Sequence, residues 1–217
     1  MARVLLVRHA ETDWNREGRV QGWAPTGLTT RGKRQAEALA TALASLGTSR
    51  GVDRVVASDL RRARETATEV AAATDCEPTF EAGWRERNFG HLQGLTADEL
   101  FEQHPELSLR NGCDRAARAR PDGGETLLGT RRRVLAAWER LRERLGPDET
   151  VVVVSHGVPI LLLLGHVRGE TFTEAIFDHE QENGAVSELR VHDEDVWIVR
   201  ENWTGYRQGS RDRTASK

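Results

Sequence analysis

Residues 150–157 read Thr-Val-Val-Val-Val-Ser-His-Gly, and residues 3–9 read Arg-Val-Leu-Leu-Val-Arg-His. Both stretches are short, continuous runs of branched apolar residues that lead into a histidine. Such runs are typical of strands in a parallel sheet, because both faces of those strands are buried. A third run, Arg54–Ala57, leads into Ser58. These three predicted strands therefore decide the fold class and also indicate where a site would lie.

The segments between these strands have helical periodicity. The pattern predicts five helices. One begins after Asp59, which is its expected N-cap, and the others lie at Thr30–Leu46, at Thr96–Gln103, within Gly123–Leu145 and at Val158–His166. It also predicts a short strand near Glu77–Phe80 and a closing antiparallel pair at Ala185–Val191 and Val196–Glu201. This order predicts an α/β fold: a three-layer α/β/α sandwich around a mostly parallel central sheet with an antiparallel strand. We assign residues 1–204 to a single domain and 205–217 to a polar C-terminal tail that frays from Gly205.

Composition excludes several classes of protein. A chain of 217 residues is long enough for one sizeable core, and its net charge of −3 provides no basic surface for nucleic acid. Cys76 and Cys113 indicate neither a disulfide framework nor a metal cluster. The apolar runs are too short or too interrupted for a signal peptide or a membrane span. We therefore expect a cytoplasmic protein with no nucleic-acid or membrane partner, and the oligomeric state, a homodimer included, stays open.

Basic side chains follow the predicted strands at the point where each strand ends. Arg8 and His9 follow the first, Arg61 and Arg62 come shortly after the second, and His156 follows the strongest strand. The carboxyl ends of parallel strands meet at one edge of a sheet, where ligands collect. Guanidinium groups match phosphate oxygens in pairs, a neutral imidazole can attack phosphorus, and helix N-termini add backbone donors. The residues therefore favour a phosphoryl site, although each of them could also be an ordinary core or surface residue.

A longer series of short motifs resembles one known family. In order, the motifs are Leu6–Thr12, Trp14-Asn15, Gly18-Arg19, Gln21-Gly22, Leu28-Thr29, Gly32, Gln35-Ala36, Ser58, Leu60, Arg62-Ala63, Thr66-Ala67, Arg85-Glu86, Gly90, Gly94, Gly123–Glu125 and Ser155–Gly157. Together they resemble the histidine phosphatase superfamily, which includes the cofactor-dependent phosphoglycerate mutases, over about residues 3–200. Ala10, Asp59 and Glu65 depart from the commoner residues, but none removes a group that the chemistry needs. The resemblance implies a phosphoglycerate mutase-like fold.

The resemblance also implies the catalytic roles. His9 is the expected nucleophile, which forms a covalent phosphohistidine. Arg8, Arg62 and His156 are expected to surround the transferring group and to offset its negative charge, with His156 protonated beside a dianion. Glu86 is the expected general acid, and later the base for the attacking water. Asn15, Gln21 and the backbone near Gly22 and Gly157 are expected to complete the phosphate-binding site.

The implied function is hydrolysis of a small phosphorylated metabolite, with no cofactor and no metal. A metal held by His9, His156 and Glu86 is disfavoured, because these residues lack short-range ligand spacing and lie beside arginines. One alternative is a phosphoglycerate mutase: the separation of 70 positions from Glu86 to His156 favours the shorter phosphatase branch, but residues 86–94 resemble the mutase motif. A second alternative is a non-catalytic phospholigand-binding protein. The arginine-rich stretch Ser108–Asp122 either lines the entrance or is a solvated loop.

Overall fold

The computed structural model describes residues 1–45, 51–111 and 113–210. Its strands are β1 (Ala2–Arg8), β2 (Arg54–Ala57), β3 (Thr79–Phe80), β4 (Thr150–Ser155), β5 (Val186–His192) and β6 (Asp195–Trp203). They form one six-stranded sheet in the order β3-β2-β4-β1-β5-β6. The first four strands pair in parallel, whereas β5 and β6 are antiparallel to their neighbours. The predicted mostly parallel sheet is confirmed, and its antiparallel part consists of two strands.

Helices cover both faces of this sheet. They are α1 (Asp13–Arg16), α2 (Thr30–Ser45), α3 (Arg61–Thr74), α4 (Ala97–Gln103), α5 (Cys113–Arg118), α6 (Leu127–Arg142), α7 (Gly157–Arg168) and α8 (Phe172–Phe177). Val4 and Leu6 of β1 pack in one core with residues of α6 and α7, whereas Leu5 and Val7 pack in a second core with residues of α2 and α3. Because alternate residues of a strand point to opposite faces, both faces are apolar. The three-layer α/β/α sandwich is therefore confirmed.

Strand β4 is the most completely buried element and positions the site. All six of its residues are buried, and burial of each valine side chain stabilises the fold by roughly 1.5–3 kcal/mol. Its parallel register with β1 pairs Arg8 with Ser155, so the two strands end side by side. The amide of His9 then donates to the carbonyl of Ser155 at 3.0 Å. This register brings the two histidine-containing ends of the sequence together.

Two local predictions are wrong. Asp59 is not the N-cap of α3, which begins at Arg61 after Leu60. Instead, the Asp59 carboxylate accepts two hydrogen bonds from Arg85, at 2.5 and 2.6 Å, because a guanidinium fork matches a carboxylate better than one backbone amide does. The C-terminal segment from Gly205 does not fray at once: a 3₁₀ helix spans Gly205–Ser210.

The 3₁₀ helix is held by aromatic packing and hydrogen bonding. The Tyr206 ring packs edge-on against Trp203, with ring centroids 5.7 Å apart, and its hydroxyl donates to the carbonyl of Gly184 at 2.8 Å. Residues 211–217 lie outside the described part of the chain, as do Leu46 and the predicted helix stop after it. Within the described ranges, no helix has the length and apolar character needed to cross a membrane.

Candidate active site

The structure brings His9 and His156 together in the interior of the protein. His9 follows β1 and is 2% exposed, whereas His156 follows β4 and is fully buried. Their ring centroids are 5.1 Å apart and their planes are tilted by 57°. Two side chains that are 147 positions apart in the chain therefore form one site at the carboxyl edge of the parallel strands.

Hydrogen bonds fix the proton of His9 on one ring nitrogen. Nδ1 lies 2.8 Å from the carbonyl oxygen of Ala10, which can only accept, so Nδ1 carries the hydrogen. Nε2 accepts a hydrogen bond from Nε of Arg62 at 3.2 Å and therefore presents a lone pair. Burial, and then the charges of Arg62 and Arg8, hold the pKa of His9 well below its usual value. At neutral pH the ring is thus an uncharged nucleophile with Nε2 as its reactive atom.

Arg62 is a fully buried cation held by backbone carbonyls. Nη2 donates to the carbonyl of Gly22 at 2.7 Å, and Nη1 donates to that of Ala24 at 3.2 Å. Burial lowers the pKa of Arg62 to about 10, against the opposing charge of Glu86. The group therefore stays charged at neutral pH, and its fixed orientation suits the binding of phosphate oxygens.

Arg8 supplies the second cation. Its Nη1 donates to the carbonyl of Gln181 at 2.5 Å, and its buried Nε has no hydrogen-bond partner among the described residues. Burial lowers the pKa of Arg8, while Glu86 and Glu182 oppose that shift. A Cβ placed on Gly157 would lie 3.8 Å from the guanidinium carbon, so the N-terminus of α7 lies directly against this cation.

His156 is neutral in the protein alone, unlike the protonated form that we expected beside a dianion. Burial has the largest effect, and Arg62, His9 and Arg8 add to it, so the pKa of His156 is well below its usual value. Its Nε2 lies 2.8 Å from the hydroxyl oxygen of Ser58. Its Nδ1 is buried, and no described residue forms a hydrogen bond with it.

Glu86 is the acidic group of the site. Burial raises its pKa, although Arg87, Arg62, Arg8 and the amide of Val158 favour the charged form. Its Oε1 accepts a hydrogen bond from the amide of Arg87 at 2.8 Å. A carboxyl with a raised pKa retains a proton to higher pH than an exposed one, as a general acid requires.

Of the four predicted phosphate-binding residues, Gln21 and Gly22 lie on the loop after α1, whereas Asn15 and Gly157 lie in α1 and α7. Gly22 has a φ of +51°, in the left-handed region that favours glycine, and a Cβ there would meet the side chain of Gln93. Gln21 is buried and accepts a hydrogen bond from the hydroxyl of Thr26 at 2.6 Å. Asn15 is joined to the nucleophile loop through Asn183, as described next, and Gly157 begins α7. Their contact with phosphate stays a prediction.

Our sequence interpretation missed the loop before β5. The Asn183 side chain donates to the carbonyl of His9 and to Oδ1 of Asn15, both at 3.1 Å. The amide of Gly184 donates to the carbonyl of Arg8 at 2.9 Å. The sequence gives no signal for this contact, because a short polar stretch before a strand is typical of any loop.

Thr66 has a bridging role that its place in a matched motif did not reveal. Its hydroxyl accepts a hydrogen bond from the amide of Ala10 at 3.1 Å and donates to the carbonyl of Arg62 at 2.8 Å. The residue after the nucleophile is thus tied to the first turn of α3. The spacing between Arg62 and Thr66 is one helical turn, and that spacing is the signal that could have indicated the bridge.

Most arginines of Ser108–Asp122 have partners within the protein. Arg110 lies over the ring of Phe177 at 5.0 Å, and the Nε of Arg120 donates to the carbonyl of Gly124 at 2.8 Å. Arg118 lies 3.9 Å from Asp114. A role for this stretch at the entrance therefore stays a prediction. Among the described residues, no group of three or more histidine, cysteine or acidic side chains is arranged to hold a metal ion.

Comparison with known proteins agrees with this arrangement. The model of the histidine phosphatase superfamily (branch 1) matches residues 4–204. Phosphoserine phosphatase 1 of Hydrogenobacter thermophilus is 37% identical over 160 residues, which cover 74% of this chain and 73% of that protein. A probable phosphoglycerate mutase, GpmB, of Escherichia coli is 36% identical over 169 residues, which cover 78% of this chain and 76% of that protein.

A solved structure shows the same fold. The native structure of mycobacterial glucosyl-3-phosphoglycerate phosphatase superposes with a TM-score of 0.78 and 27% sequence identity, and the match covers 93% of this chain and 99% of that chain. The family model spans nearly the whole chain, and both sequence relatives exceed 30% identity over more than two thirds of it. The chain therefore belongs to the histidine phosphatase superfamily, branch 1.

Proposed function

We propose that this protein hydrolyses phosphomonoesters of small metabolites through a phosphohistidine formed on His9. The observation that carries the proposal is the state of His9. Its ring is neutral, its Nδ1 proton is held by the carbonyl of Ala10, and its Nε2 lone pair lies beside the buried cation of Arg62. A nucleophile and a phosphate-binding cation in contact are the two requirements for attack on a phosphoryl group.

The first step transfers the phosphoryl group to the protein. Nε2 of His9 attacks phosphorus while the bond from phosphorus to the ester oxygen breaks. Glu86, whose pKa burial raises, donates the proton of its protonated form to that leaving oxygen. Arg8 and Arg62 offset the charge on the phosphoryl oxygens, and the carbonyl of Ala10 stabilises the positive charge on the phosphorylated ring.

The second step returns the protein to its starting state. Water attacks phosphorus, the carboxylate of Glu86 takes the proton of that water, and the bond between phosphorus and Nε2 breaks. Inorganic phosphate leaves, and Glu86 is again protonated. The guanidinium groups of Arg8 and Arg62 supply the positive charge in this scheme, so we propose that no metal takes part.

Phosphatase activity is favoured over mutase activity, although both occur among the relatives. A mutase must keep water away from its phosphohistidine. Glu86 and His156 are 70 positions apart, which is the shorter spacing that resembles phosphatases. Incubation with 3-phosphoglycerate, with and without a bisphosphoglycerate primer, separates the two. Phosphate release supports a phosphatase, and primer-dependent isomerisation supports a mutase.

The names of the relatives indicate which substrates to test first. Phosphoserine, phosphoglycerate and glucosyl-3-phosphoglycerate each carry a phosphoester on a three-carbon acid. We propose a small phosphorylated metabolite as substrate, and a panel should start with these compounds and continue to sugar phosphates and α-ribazole phosphate. A cytoplasmic location also stays a prediction.

The decisive experiment measures phosphate release over this panel in EDTA, with His9→Ala and a matched control. His192→Ala is that control, because the His192 side chain is 58% exposed at the end of β5. We expect His9→Ala to lose activity by on the order of 10⁴-fold or more, and His192→Ala to match the wild type. Full activity of His9→Ala would exclude the phosphohistidine, and loss of wild-type activity in EDTA would indicate a metal. Turnover of no phosphomonoester would favour the non-catalytic alternative.

A further inference from the structure

A buried hydroxyl contacts the second imidazole of the site. Ser58 follows β2 and His156 follows β4, and these strands are parallel neighbours with Ala57 paired to Val154. The Ser58 amide donates to the carbonyl of Val154 at 2.9 Å, so its backbone is fixed by the sheet. Its Oγ lies 2.8 Å from Nε2 of His156, and both residues are fully buried. The contact is thus a buried hydrogen bond between rigid elements.

The remaining contacts of Ser58 indicate which atom carries the proton. A serine hydroxyl has one hydrogen to donate and two lone pairs that accept. The amide of Leu60 donates to Oγ at 3.3 Å and occupies one lone pair. Among the described residues, Nε2 of His156 is the acceptor left for the hydroxyl hydrogen. If Ser58 donates to Nε2, the neutral ring must carry its own hydrogen on Nδ1.

The opposite assignment leaves more groups unsatisfied. If Nε2 carried the hydrogen and donated to Ser58, the buried serine hydroxyl would have no acceptor in the described part of the chain. Nδ1 of His156, also buried and without a partner there, would present a lone pair. Unsatisfied buried polar groups are costly, so the first assignment is favoured. A lone pair on Nδ1 would also repel phosphate oxygens.

We propose that Ser58 is a positioning residue that holds His156 as the Nδ1–H tautomer, so that a neutral ring donates a hydrogen bond to the phosphoryl group. The second part of this inference rests on the proposed function. His9 and His156 would then share one tautomer but present different atoms: His9 presents the Nε2 lone pair, and His156 presents the Nδ1 hydrogen. The lowered pKa of His156 agrees with a neutral donor.

The tautomer is tested without any activity measurement, on the full chain labelled with ¹⁵N-histidine. Multiple-bond ¹H–¹⁵N spectra at pH 7.5 distinguish a protonated ring nitrogen from an unprotonated one, and His156→Gln assigns the signals. We expect the wild-type His156 signals to show a protonated Nδ1 and an unprotonated Nε2. A protonated Nε2 in the wild type overturns the proposal, whether or not any variant folds.

Variants separate positioning from a general structural role. Ser58→Ala should shift His156 toward the Nε2–H tautomer, whereas Ser58→Thr, which keeps the hydroxyl, should preserve the wild-type signals. Ser155→Ala is the matched control, because this buried hydroxyl donates to the carbonyl of Trp84 at 2.8 Å and, among the described residues, forms no hydrogen bond with either histidine side chain. An unchanged tautomer in Ser58→Ala, or the same change in Ser155→Ala, contradicts the proposal.

The pH profile tests the effect on catalysis. Without Ser58, the neutral ring favours the Nε2–H tautomer, so Nδ1 donates mainly from the doubly protonated ring, which becomes rarer as pH rises. We expect Ser58→Ala to lose about tenfold in kcat at pH 8 and less at pH 5.5, with Ser58→Thr close to the wild type. An equal loss at both pH values would contradict the donor role. If the wild type hydrolyses nothing while the spectra show the expected tautomer, the proposed function fails and the assignment of Ser58 stands.

Discussion

The two sides of the site are built in different ways. One side, which we call the strand-end wall, consists of His9, Ser58, Arg62 and His156, which follow β1, β2 and β4 directly or lie in the first turn of α3. The other side, the loop wall, consists of Glu86 and residues 181–184. The strand-end wall is fixed by sheet register and complete burial. The loop wall is held by hydrogen bonds from one loop to another, such as that from Trp23 Nε1 to the Glu86 carbonyl at 2.8 Å.

Burial has opposite chemical consequences on the two sides. It lowers the pKa of each buried histidine and raises the pKa of Glu86, because in each case it disfavours the charged form. The strand-end wall thus holds a neutral base that can attack, and the loop wall holds a carboxyl group that keeps its proton to higher pH than an exposed one. The nucleophile occupies the more rigid wall, where its position relative to phosphorus is best controlled.

After the loss of the nucleophile in His9→Ala, the largest expected effect is also on the strand-end wall, with Arg62→Met. This substitution keeps much of the side-chain volume and removes the buried cation beside Nε2 of His9. We expect kcat to fall by about 10³-fold, as for the loss of a main oxyanion donor. The matched control is Arg61→Met, because Arg61 is the next residue, is 64% exposed, and forms an i,i+4 ion pair with Glu65 at the surface. Similar losses in both variants would remove the special role of Arg62.

Glu86→Gln tests the loop wall through its dependence on the leaving group. We expect a loss of about 10²-fold or more on alkyl phosphates, whose leaving oxygens need a proton, and a much smaller loss on p-nitrophenyl phosphate. Because Glu86 must be protonated in the first step, wild-type activity on alkyl phosphates should fall as pH rises through its raised pKa. This fall in activity with rising pH should be absent in Glu86→Gln. Glu81→Gln, a half-exposed neighbour 4.0 Å from Arg140, is the control.

The strand-end wall was largely predictable from the residues themselves. Buried parallel strands read as continuous apolar runs, and their carboxyl ends must share an edge, so the meeting of His9 with His156 follows from pattern and topology. The hydrogen-bond partners of these residues could not be predicted from the sequence pattern, because they depend on the directions of the side chains. The Asp59 prediction failed for this reason: an N-cap residue was expected from sequence spacing, but a guanidinium from a distant loop binds it instead.

In the loop wall, Glu86 was predicted only from the family resemblance, and residues 181–184 were not predicted. Glu86 lies in a charged stretch with no periodicity, and only the family motif indicated it. Asn183 and Tyr206 had no signal, because each acts through backbone carbonyls that become neighbours only after the sheet has formed. Contacts of this kind have large sequence separation and no preferred spacing, so single-sequence patterns do not contain them.

The next effect concerns the free energy of unfolding, and it tests the two buried histidines of the strand-end wall. In the folded protein the pKa values of His9 and His156 are lowered, so below the unfolded value of about 6.5 the unfolded chain binds more protons. The free energy of unfolding should therefore fall as pH decreases below about 6.5, by about 1.4 kcal/mol per pH unit for each histidine, and level off above it.

Urea unfolding at pH 5.5 and 7.5 measures this slope. The double variant His9→Gln/His156→Gln is the comparison, because Glu86, whose raised pKa acts in the opposite direction, remains in both proteins. Between pH 7.5 and pH 5.5, we expect the free energy of unfolding to fall by about 2–3 kcal/mol less in the double variant than in the wild type. Equal slopes in the two proteins would show that the histidines are not buried in neutral form.

The smallest effect is expected from Tyr206→Phe, behind the loop wall. The Tyr206 hydroxyl donates to the carbonyl of Gly184, whose amide in turn donates to the carbonyl of Arg8. Removing one such bond should lower the free energy of unfolding by about 1 kcal/mol. Because Arg8 binds phosphate in the proposed mechanism, we also expect a rise of about two- to fivefold in KM with little change in kcat. Trp197→Phe, at a ring that is exposed on the edge strand β6, should change neither quantity. An unchanged KM in Tyr206→Phe would mean that the sheet alone positions Arg8, and the 3₁₀ helix would then belong to the fold but not to the site.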